Sequence, residues 1–348
     1  MEHGGDWAGY QLEFGSVPLD FSASVSPLGL PERVKRAAAN ALNTADRYPD
    51  PMCRELRGRL SEYLGVPAEG IMCGGGASDL IYRLVLAKAP KTALVTAPTF
   101  SEYENALRLC GCGVSRFLLR EESDFAVNED ILQAIDSGLD ILFLCEPNNP
   151  TGRTTSPHLL ERILKRCALC GTLLVVDECF IELLNEPEKH TLLGFLPEYS
   201  NLFILRAFTK SFGMAGLRLG YGLCSDGVLL DTMYKSGPPW PVSGPAQAAG
   251  MAALAEEEYL IELRELIRRE RRTLSEGLAE LGCRVCRGEA NYLLFFSPIP
   301  SLGQRLRERG ILIRDCSGYH GLGPGWYRVA VRTTEDNRKL LDTLREVL

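Results

Sequence analysis

Residues 140–152 read DILFLCEPNNPTG, an apolar run followed at once by a turn. The run lacks the alternation of a half-exposed strand, which indicates a strand that is buried on both faces. The following Pro, Asn and Gly residues are typical of turns. Asn148 and Asn149 also bring two side-chain amides to the strand end. The stretch therefore predicts a buried strand whose turn offers amide groups to a ligand.

The same pattern recurs on both sides of this stretch. Short runs rich in Leu, Val, Ile and Phe predict further buried strands. Helical patterns lie between these runs, up to Cys110, near 128–137 and near 157–169. These runs are TALVT (92–96), VSRFLL (114–119), TLLVVD (172–177), NLFILR (201–206) and LRLGYGL (217–223). Such a βαβ rhythm predicts an α/β fold with a mostly parallel sheet covered by helices.

A second pattern follows the Pro-rich segment 235–245. An amphipathic helical pattern runs to about Leu281, and three strand-like runs follow, NYLLFF (291–296), GILIR (310–314) and WYRVAVR (326–332). We expect a smaller α+β domain here. The predicted boundaries are 1–30 for an N-terminal arm and small-domain segment, 31–240 for the large domain and 241–348 for the small domain.

Composition narrows the function classes. The 348 residues carry a net charge of −7, and the longest basic cluster, IRRERR at 267–272, lies in a Glu-rich helical pattern. This argues for a solvated helix face and against a nucleic-acid or membrane partner. The first thirty residues lack the pattern of a signal peptide, so we expect a cytoplasmic protein with reduced cysteines. Two C-x-x-C pairs lie over 100 residues apart in sequence, and no metal site is expected.

The ends of the predicted strands carry the residues suited to chemistry, because ligands of such sheets bind at the carboxyl edge. Lys210 stands among apolar residues, and burial lowers the pKa of a lysine so that its amine becomes a nucleophile. The turn Gly74–Asp79 enters a helix whose backbone N–H groups suit a phosphate. Asp177 ends a buried strand. Each feature also has a purely structural interpretation. The Lys210 amine would lie in water, the glycine turn would only cap a helix, and the Asp177 carboxylate would cap a helix as well.

Together these features fit one ligand, pyridoxal 5′-phosphate. This cofactor needs a lysine for a Schiff base, an acid beside its pyridine nitrogen and donors for its phosphate. PNNPTG (147–152), VVDECF (175–180) and TKSFGMAGLRLGY (209–221) resemble the fold type I pyridoxal-phosphate aminotransferase family along nearly the whole chain.

The resemblance implies roles for individual residues. Lys210 would be the Schiff-base lysine, Asp177 would pair with the pyridine nitrogen, and Asn149 would contact the ring 3-oxygen. Phe100 and Phe180 would line the ring. A homodimer with shared sites is also implied, because Tyr48 of RYPDP would reach the phosphate of the neighbouring subunit's cofactor. The other phosphate-binding residues would be Gly76, Ala77, Ser78, Thr209 and Arg218.

Two branches of the family are similar to this chain, histidinol-phosphate aminotransferases and the L-threonine O-3-phosphate decarboxylases of cobalamin biosynthesis. LDFSASVSPLG (19–29) and ILIRDCSGYHGL (311–322) look like the decarboxylase, and so does Phe180, where the aminotransferase usually has tyrosine. Ser24 departs from the decarboxylase pattern, because the decarboxylase has a substrate-contacting asparagine there. The resemblance implies substrate binding by His3, Gly4, Ser24, Asn149, Arg314 and Arg328.

We therefore expect a decarboxylase that converts L-threonine O-3-phosphate to (R)-1-amino-2-propanol O-2-phosphate. L-Serine O-phosphate is an alternative substrate. An aminotransferase of histidinol phosphate or of an aromatic amino acid is a further alternative. A noncatalytic cofactor-binding regulator is disfavoured, since Lys210 and Asp177 are both present and no DNA-binding arm precedes the family-like region.

Overall fold

The computed structural model describes residues 4–347, and its largest element is a seven-stranded mixed sheet. The spatial order is β2-β8-β7-β6-β5-β3-β4, and β8 is antiparallel to both of its neighbours whereas the other pairs are parallel. The strands are β2 (Ile71–Gly74), β3 (Thr92–Ala97), β4 (Gly113–Leu118), β5 (Ile141–Cys145), β6 (Leu173–Asp177), β7 (Leu202–Ala207) and β8 (Gly220–Leu223). The α/β prediction is confirmed.

The second part of the fold is a four-stranded antiparallel sheet with a short parallel pair beside it. The order in the sheet is β12-β13-β10-β9, and β1 pairs with β11. These strands are β1 (Leu19–Asp20), β9 (Arg284–Val285), β10 (Tyr292–Phe296), β11 (Ile311–Leu312), β12 (Arg314–Asp315) and β13 (Trp326–Ala330). The pairing of β1 with β11 joins the N-terminal segment to the C-terminal part of the chain.

Helices cover both sheets. They are α1 (Trp7–Phe14), α2 (Glu32–Ala41), α3 (Arg54–Leu64), α4 (Ala77–Lys88), α5 (Glu102–Leu109), α6 (Pro157–Cys170), α7 (Phe208–Ser211), α8 (Gly227–Lys235), α9 (Gly244–Ala253), α10 (Glu257–Glu280), α11 (Leu302–Arg307) and α12 (Thr334–Val347). Local sequence explains α6: the Ser156 side chain caps its first turn, Pro157 is its first residue, and Gly171 ends it in the left-handed conformation.

Two helical predictions differ from the structure. The expected helix near 128–137 is a 3₁₀ turn, Glu129–Ala134, because Asp136 accepts a hydrogen bond from Gly138 N and turns the chain. The amphipathic pattern before Leu281 is divided into α9 and α10. Helix α9 packs on α2 and shares the large-sheet core through Ala246, while α10 continues to the core of the small sheet through Leu278. The domain boundaries stay a prediction.

Helix α10 is the longest helix and, over the described range, no helix combines the length and apolarity that a bilayer crossing requires. The twelve cysteines are all free thiols, and most are buried among apolar side chains. They pack as small apolar side chains do.

Strand β8 contains two glycines at positions where neighbouring atoms occupy the space of a side chain. A Cβ atom on Gly222 would lie 2.4 Å from Cζ of Phe203 on β7, and a Cβ on Gly220 would lie 2.7 Å from the backbone nitrogen of Ala77. Because Gly222 has no side chain, the Phe203 ring can pack directly against the backbone of β8. Because Gly220 has none, the start of α4 can lie against β8, close to the turn that contains Gly76.

We expect Gly222→Ala to destabilise the protein by about 1–3 kcal/mol, because the added methyl group overpacks a rigid core. Urea denaturation measures this change. Gly244→Ala is the matched control, since beyond its chain neighbours and its own helix backbone no atom of residues 4–347 lies within 4 Å of the position that its methyl group would take. Equal stabilities of the two variants would contradict the packing argument.

Candidate active site

A cavity of about 490 Å³ opens at the carboxyl edge of the parallel strands, between the large and small sheets. Most of the residues singled out from the sequence line it: Gly4, Ser24, Ala77, Ser78, Phe100, Asn149, Asp177, Phe180, Thr209, Lys210, Arg218, Arg314 and Arg328. Gly76 precedes α4 directly and lies against the Arg218 guanidinium. His3 lies outside the described residues. The structure thus brings together side chains that are far apart in sequence.

Lys210 lies in the short helix α7, which begins immediately after β7. Its Nζ is 5.4 Å from the centroid of the Phe180 ring. Burial lowers the pKa of Lys210 to about 8, and the positive charges of Arg328 and Arg218 contribute to this shift, while Asp177 opposes it. The neutral amine, which is the state that attacks an aldehyde, is therefore more abundant near neutral pH than for an ordinary lysine.

Asp177 ends β6 and is held from two sides. The Tyr103 hydroxyl donates to Oδ2 at 2.6 Å, and the backbone nitrogen of Cys179 donates to Oδ1 at 3.0 Å. Burial raises the pKa of Tyr103 well above its usual value, and the Asp177 charge adds to this effect, so the hydroxyl keeps its proton and remains a donor. The ring of Tyr103 stacks on Phe143 at 4.9 Å. The carboxylate is thereby fixed in the cavity wall.

The two asparagines of the PNNPTG turn have different surroundings. Asn148 donates to the Pro98 carbonyl and to Thr151 Oγ1, both at 3.0 Å, and accepts from Thr99 Oγ1 at 2.9 Å. Its amide is fully used within the protein, so the expectation that both amides face a ligand is wrong for Asn148. Asn149 lines the cavity, where its Oδ1 accepts a hydrogen bond from Arg328.

The glycine turn before α4 forms a cradle of backbone groups. Gly76 has φ +92°, and a Cβ there would lie 2.8 Å from Nη2 of Arg218. Both constraints exclude a side chain at this position. Helix α4 then begins at Ala77, so its first N–H groups and the Arg218 guanidinium meet at the same corner. An anion at this corner gains backbone donors, the helix dipole and a cation.

Arg314 and Arg328 line the opposite wall. They are directly paired residues of the antiparallel strands β12 and β13. Nη2 of the buried Arg328 donates to the Ser22 carbonyl at 2.9 Å, and its Nε has no hydrogen-bond partner within the described part of the chain. The hydroxyl oxygen of Ser24 is also buried without a partner there. These two atoms retain hydrogen-bonding capacity that residues 4–347 leave unused.

Tyr48 does not line the cavity of its own chain. It is 79% exposed, and its ring stacks on that of Trp240 at 4.3 Å. This position is compatible with the expected contact across a dimer, which stays a prediction.

Several lining residues were missed from the sequence. Cys145 and Cys179 flank Asp177 in the cavity wall, and Tyr319 lies under the Arg314 guanidinium at 5.6 Å. Tyr103 supports Asp177 from outside the cavity lining. One weak signal for Tyr103 was available, since it stands only three residues after Phe100 in the sequence. The positions of the others depend on tertiary packing.

Known proteins match this chain over nearly its whole length. The aminotransferase class I and II profile matches residues 17–344. The threonine-phosphate decarboxylase of Salmonella typhimurium is 36% identical over 99% of this chain and 96% of its own length. The histidinol-phosphate aminotransferase of Methanosarcina mazei is 33% identical over 95% of this chain and 88% of its own.

A solved structure gives the same result for the fold. The histidinol-phosphate aminotransferase from Clostridium acetobutylicum superposes with a TM-score of 0.88 at 28% identity, over 94% of this chain and 98% of that one. The chain belongs to the aminotransferase class I and II family. It is a fold type I enzyme of the aminotransferase and decarboxylase type, and its cofactor is pyridoxal 5′-phosphate.

The residues present fit this cofactor. Any Cβ at Gly76 would fill the cradle, and its absence leaves the cradle open to a phosphate. A nucleophilic amine and a fixed carboxylate line the same cavity. Because the cavity supplies an amine, a carboxylate and an anion cradle, it offers a partner for each functional group of pyridoxal phosphate.

The first prediction for this site concerns pH. The yield of borohydride-trapped cofactor after a brief incubation with apoenzyme should rise with pH through a midpoint near 8, because the neutral form of Lys210 reacts. Arg328→Gln removes a positive neighbour and should move the midpoint upward. The control is Arg272→Gln on the exposed face of α10. Lys210→Ala should trap no cofactor, and trapping at another lysine would remove Lys210 from this role.

The second prediction concerns Tyr103. Tyr103→Phe keeps the stacking on Phe143 and removes one of the two donors to Asp177. A hydrogen bond to a charged group stabilises by about 1.5–3 kcal/mol, so kcat should fall about tenfold or more while the fold is retained. Steady-state kinetics and thermal denaturation measure both quantities. Tyr327→Phe in the small-sheet core is the control. An unchanged kcat would show that Tyr103 contributes packing alone.

Proposed function

We propose that this enzyme decarboxylates L-threonine O-3-phosphate. The bond from Cα to the carboxylate breaks, CO₂ leaves, and a proton replaces it on Cα to give (R)-1-amino-2-propanol O-2-phosphate. The similarity to the Salmonella typhimurium threonine-phosphate decarboxylase supports this reaction. We also propose that the reaction belongs to cobalamin biosynthesis and takes place in the cytoplasm.

The observation that carries the proposal is the pairing of Arg314 with Arg328. Like charges directly opposite each other on antiparallel strands repel. A phosphate dianion between them would offset this repulsion and accept charge-assisted hydrogen bonds from both forks. Arg328 is 7% exposed and turned toward the cavity, where water competes weakly for its hydrogen bonds. The site therefore favours a substrate with a phosphate over one with a neutral side chain.

The remaining substrate contacts are inferred from the cavity lining. Gly4 and Ser24 line the cavity together with Arg328 and would complete the phosphate end. His3, which lies outside the described residues, is proposed as a further substrate contact. The unpartnered hydroxyl of Ser24 gains a partner when a phosphate oxygen or the substrate carboxylate is bound. Asn149 is held by Arg328, so it links the substrate end of the cavity to the cofactor end.

At the cofactor end, Asp177 would hold a proton on the pyridine nitrogen and Lys210 would provide the covalent link. Phe100 and Phe180 would line the ring, and Asn149 would contact its 3-oxygen. The residues that would hold the cofactor phosphate are those of the cradle and its surroundings, Gly76, Ala77, Ser78, Thr209 and Arg218. When bound, pyridoxal phosphate supplies an electron sink for the electron pair left on the substrate Cα.

Orientation selects the reaction. Whether the bond to the carboxylate or the bond to the Cα hydrogen breaks depends on how the protein's own residues orient the substrate in the cavity. Two guanidinium groups on adjacent strands would fix the phosphate end of the substrate, and this anchoring would set the direction of the carboxylate. The protonated amine of Lys210 would then deliver the proton to Cα, since it lies in the wall of the same cavity.

The enzyme is proposed to act as a homodimer with shared sites. Tyr48 is exposed on its own chain and would donate its hydroxyl to the cofactor phosphate of the partner subunit. This arrangement gives an otherwise unexplained exposed aromatic pair, Tyr48 and Trp240, a place at an interface.

Assays of two products test the proposed reaction. With L-threonine O-3-phosphate the enzyme should release CO₂ without any oxo acid, and Lys210→Ala should release none. L-Serine O-phosphate and histidinol phosphate are run in parallel, each with and without 2-oxoglutarate. Glutamate formation that requires 2-oxoglutarate, without CO₂ release, would assign the protein to the aminotransferases. Faster turnover of L-serine O-phosphate would make that compound the assigned substrate and leave the proposed decarboxylation unchanged.

A further inference from the structure

An ion pair between a buried arginine and a partly exposed aspartate lies behind the phosphate cradle. Arg83, on the second turn of α4, is 2% exposed, and its Nε donates to Oδ1 of Asp79 at 2.9 Å. The other carboxylate oxygen of Asp79 accepts from the backbone nitrogen of Gly75 at 3.0 Å. Nη2 of Arg83 donates to the carbonyl of Pro238 at 2.7 Å. The pair therefore connects the glycine turn to the segment 236–241.

Three glycines make room for this connection. A Cβ on Gly74 would lie 2.8 Å from Oδ2 of Asp79, and a Cβ on Gly237 would lie 2.5 Å from Cζ of Arg83. A Cβ on Gly75 would lie 3.1 Å from the Pro241 carbonyl oxygen. None of the three has a positive φ, so space and not backbone conformation requires glycine at these positions. The glycines of the turn and Gly237 of the segment 236–241 thus leave the space in which the two parts of the chain meet at the ion pair.

The segment 236–241 also carries Trp240, which has φ +54° and stacks on Tyr48. A non-glycine residue in this region of backbone space is held there by its surroundings. The contact of Arg83 with Pro238, two residues earlier, is one such restraint. The ion pair consequently restrains the cradle of its own chain and the aromatic pair at the surface.

We propose that Asp79 and Arg83 are positioning residues for two cofactor phosphates. They orient the backbone N–H groups of the cradle in their own subunit. Through Pro238 and Trp240 they also hold Tyr48 in position to contact the cofactor phosphate of the partner subunit. The second half rests on the proposed dimer. The contacts of the pair are all to the phosphate side of the site, so it acts on the phosphate and leaves the contacts to the pyridine ring unchanged.

The test compares pyridoxal phosphate with pyridoxal, which lacks the phosphate. Gly237→Ala keeps both charges and displaces the Arg83 guanidinium, and Arg83→Lys keeps the charge without the fork. Titration of each apoenzyme should show affinity for pyridoxal phosphate reduced on the order of tenfold, with affinity for pyridoxal unchanged. Gly227→Ala is the control, because within the described part of the chain only its sequence neighbours and its own helix backbone lie within 4 Å of its methyl position.

If the ion pair had a merely structural role, both affinities would fall equally. That result would overturn the proposal, and so would no change in either affinity. If Gly237→Ala does not fold, Arg83→Lys gives the same comparison. These are binding measurements on apoenzyme, so their outcome is separate from whether the reaction is a decarboxylation.

A double-mutant cycle tests the connection to Tyr48. Tyr48→Phe alone should lower affinity for pyridoxal phosphate, and its combination with Gly237→Ala should lower it less than the product of the two single effects. Independent effects would overturn the connection between the pair and Tyr48. No effect of Tyr48→Phe alone would instead refute the shared site of the proposed dimer and, with it, the second half of this inference.

Discussion

The parallel hydrogen bonding of β5, β6 and β7 is the constraint on which the site depends. Cys145, Asp177 and Leu205 are in register across the three strands. The ladder continues past the strand ends, since Glu146 N donates to the Asp177 carbonyl at 2.9 Å and Glu178 N donates to the Leu205 carbonyl at 2.8 Å. The chain segments that leave these strands start at one level, and their next residues reach the same cavity.

Buried polar groups hold these segments in place from behind. Glu178 accepts from Nε and Nη2 of Arg206 at 3.0 and 2.8 Å, and from Thr191 and Leu192 of the following loop. Breaking a buried ion pair by removing one partner costs about 3–5 kcal/mol, so this cluster resists local opening. Glu146 plays a similar part behind the PNNPTG turn, because both of its carboxylate oxygens accept from the backbone nitrogen of Thr155, at 3.0 and 2.9 Å. The residues of the cavity wall therefore keep their spacing.

The sequence predicts the sheet and much of the cavity wall because both follow from local patterns. Continuous apolar runs identify buried strands, and Lys210, Asp177 and the glycine turn stand at their ends, where the fold places ligands. Tyr103 and Tyr319 were not found, because their part in the site depends on helix and loop packing. Nor does sequence spacing show that Asn148 turns inward, since neighbouring asparagines have equal local chemistry.

One of the arginines that suit a phosphate also acts on Lys210. Arg328 lowers the pKa of the lysine through space, after burial, and so favours the neutral amine that forms the covalent link to the cofactor. When substrate binds and releases the lysine, a dianion between Arg314 and Arg328 would cancel much of the positive charge that Arg328 contributes and would raise the pKa of Lys210 again. Under the proposed function, substrate binding therefore favours the protonated lysine at the stage when Cα requires a proton. The phosphate then contributes to proton delivery as well as to binding, although it takes no part in the bond that breaks.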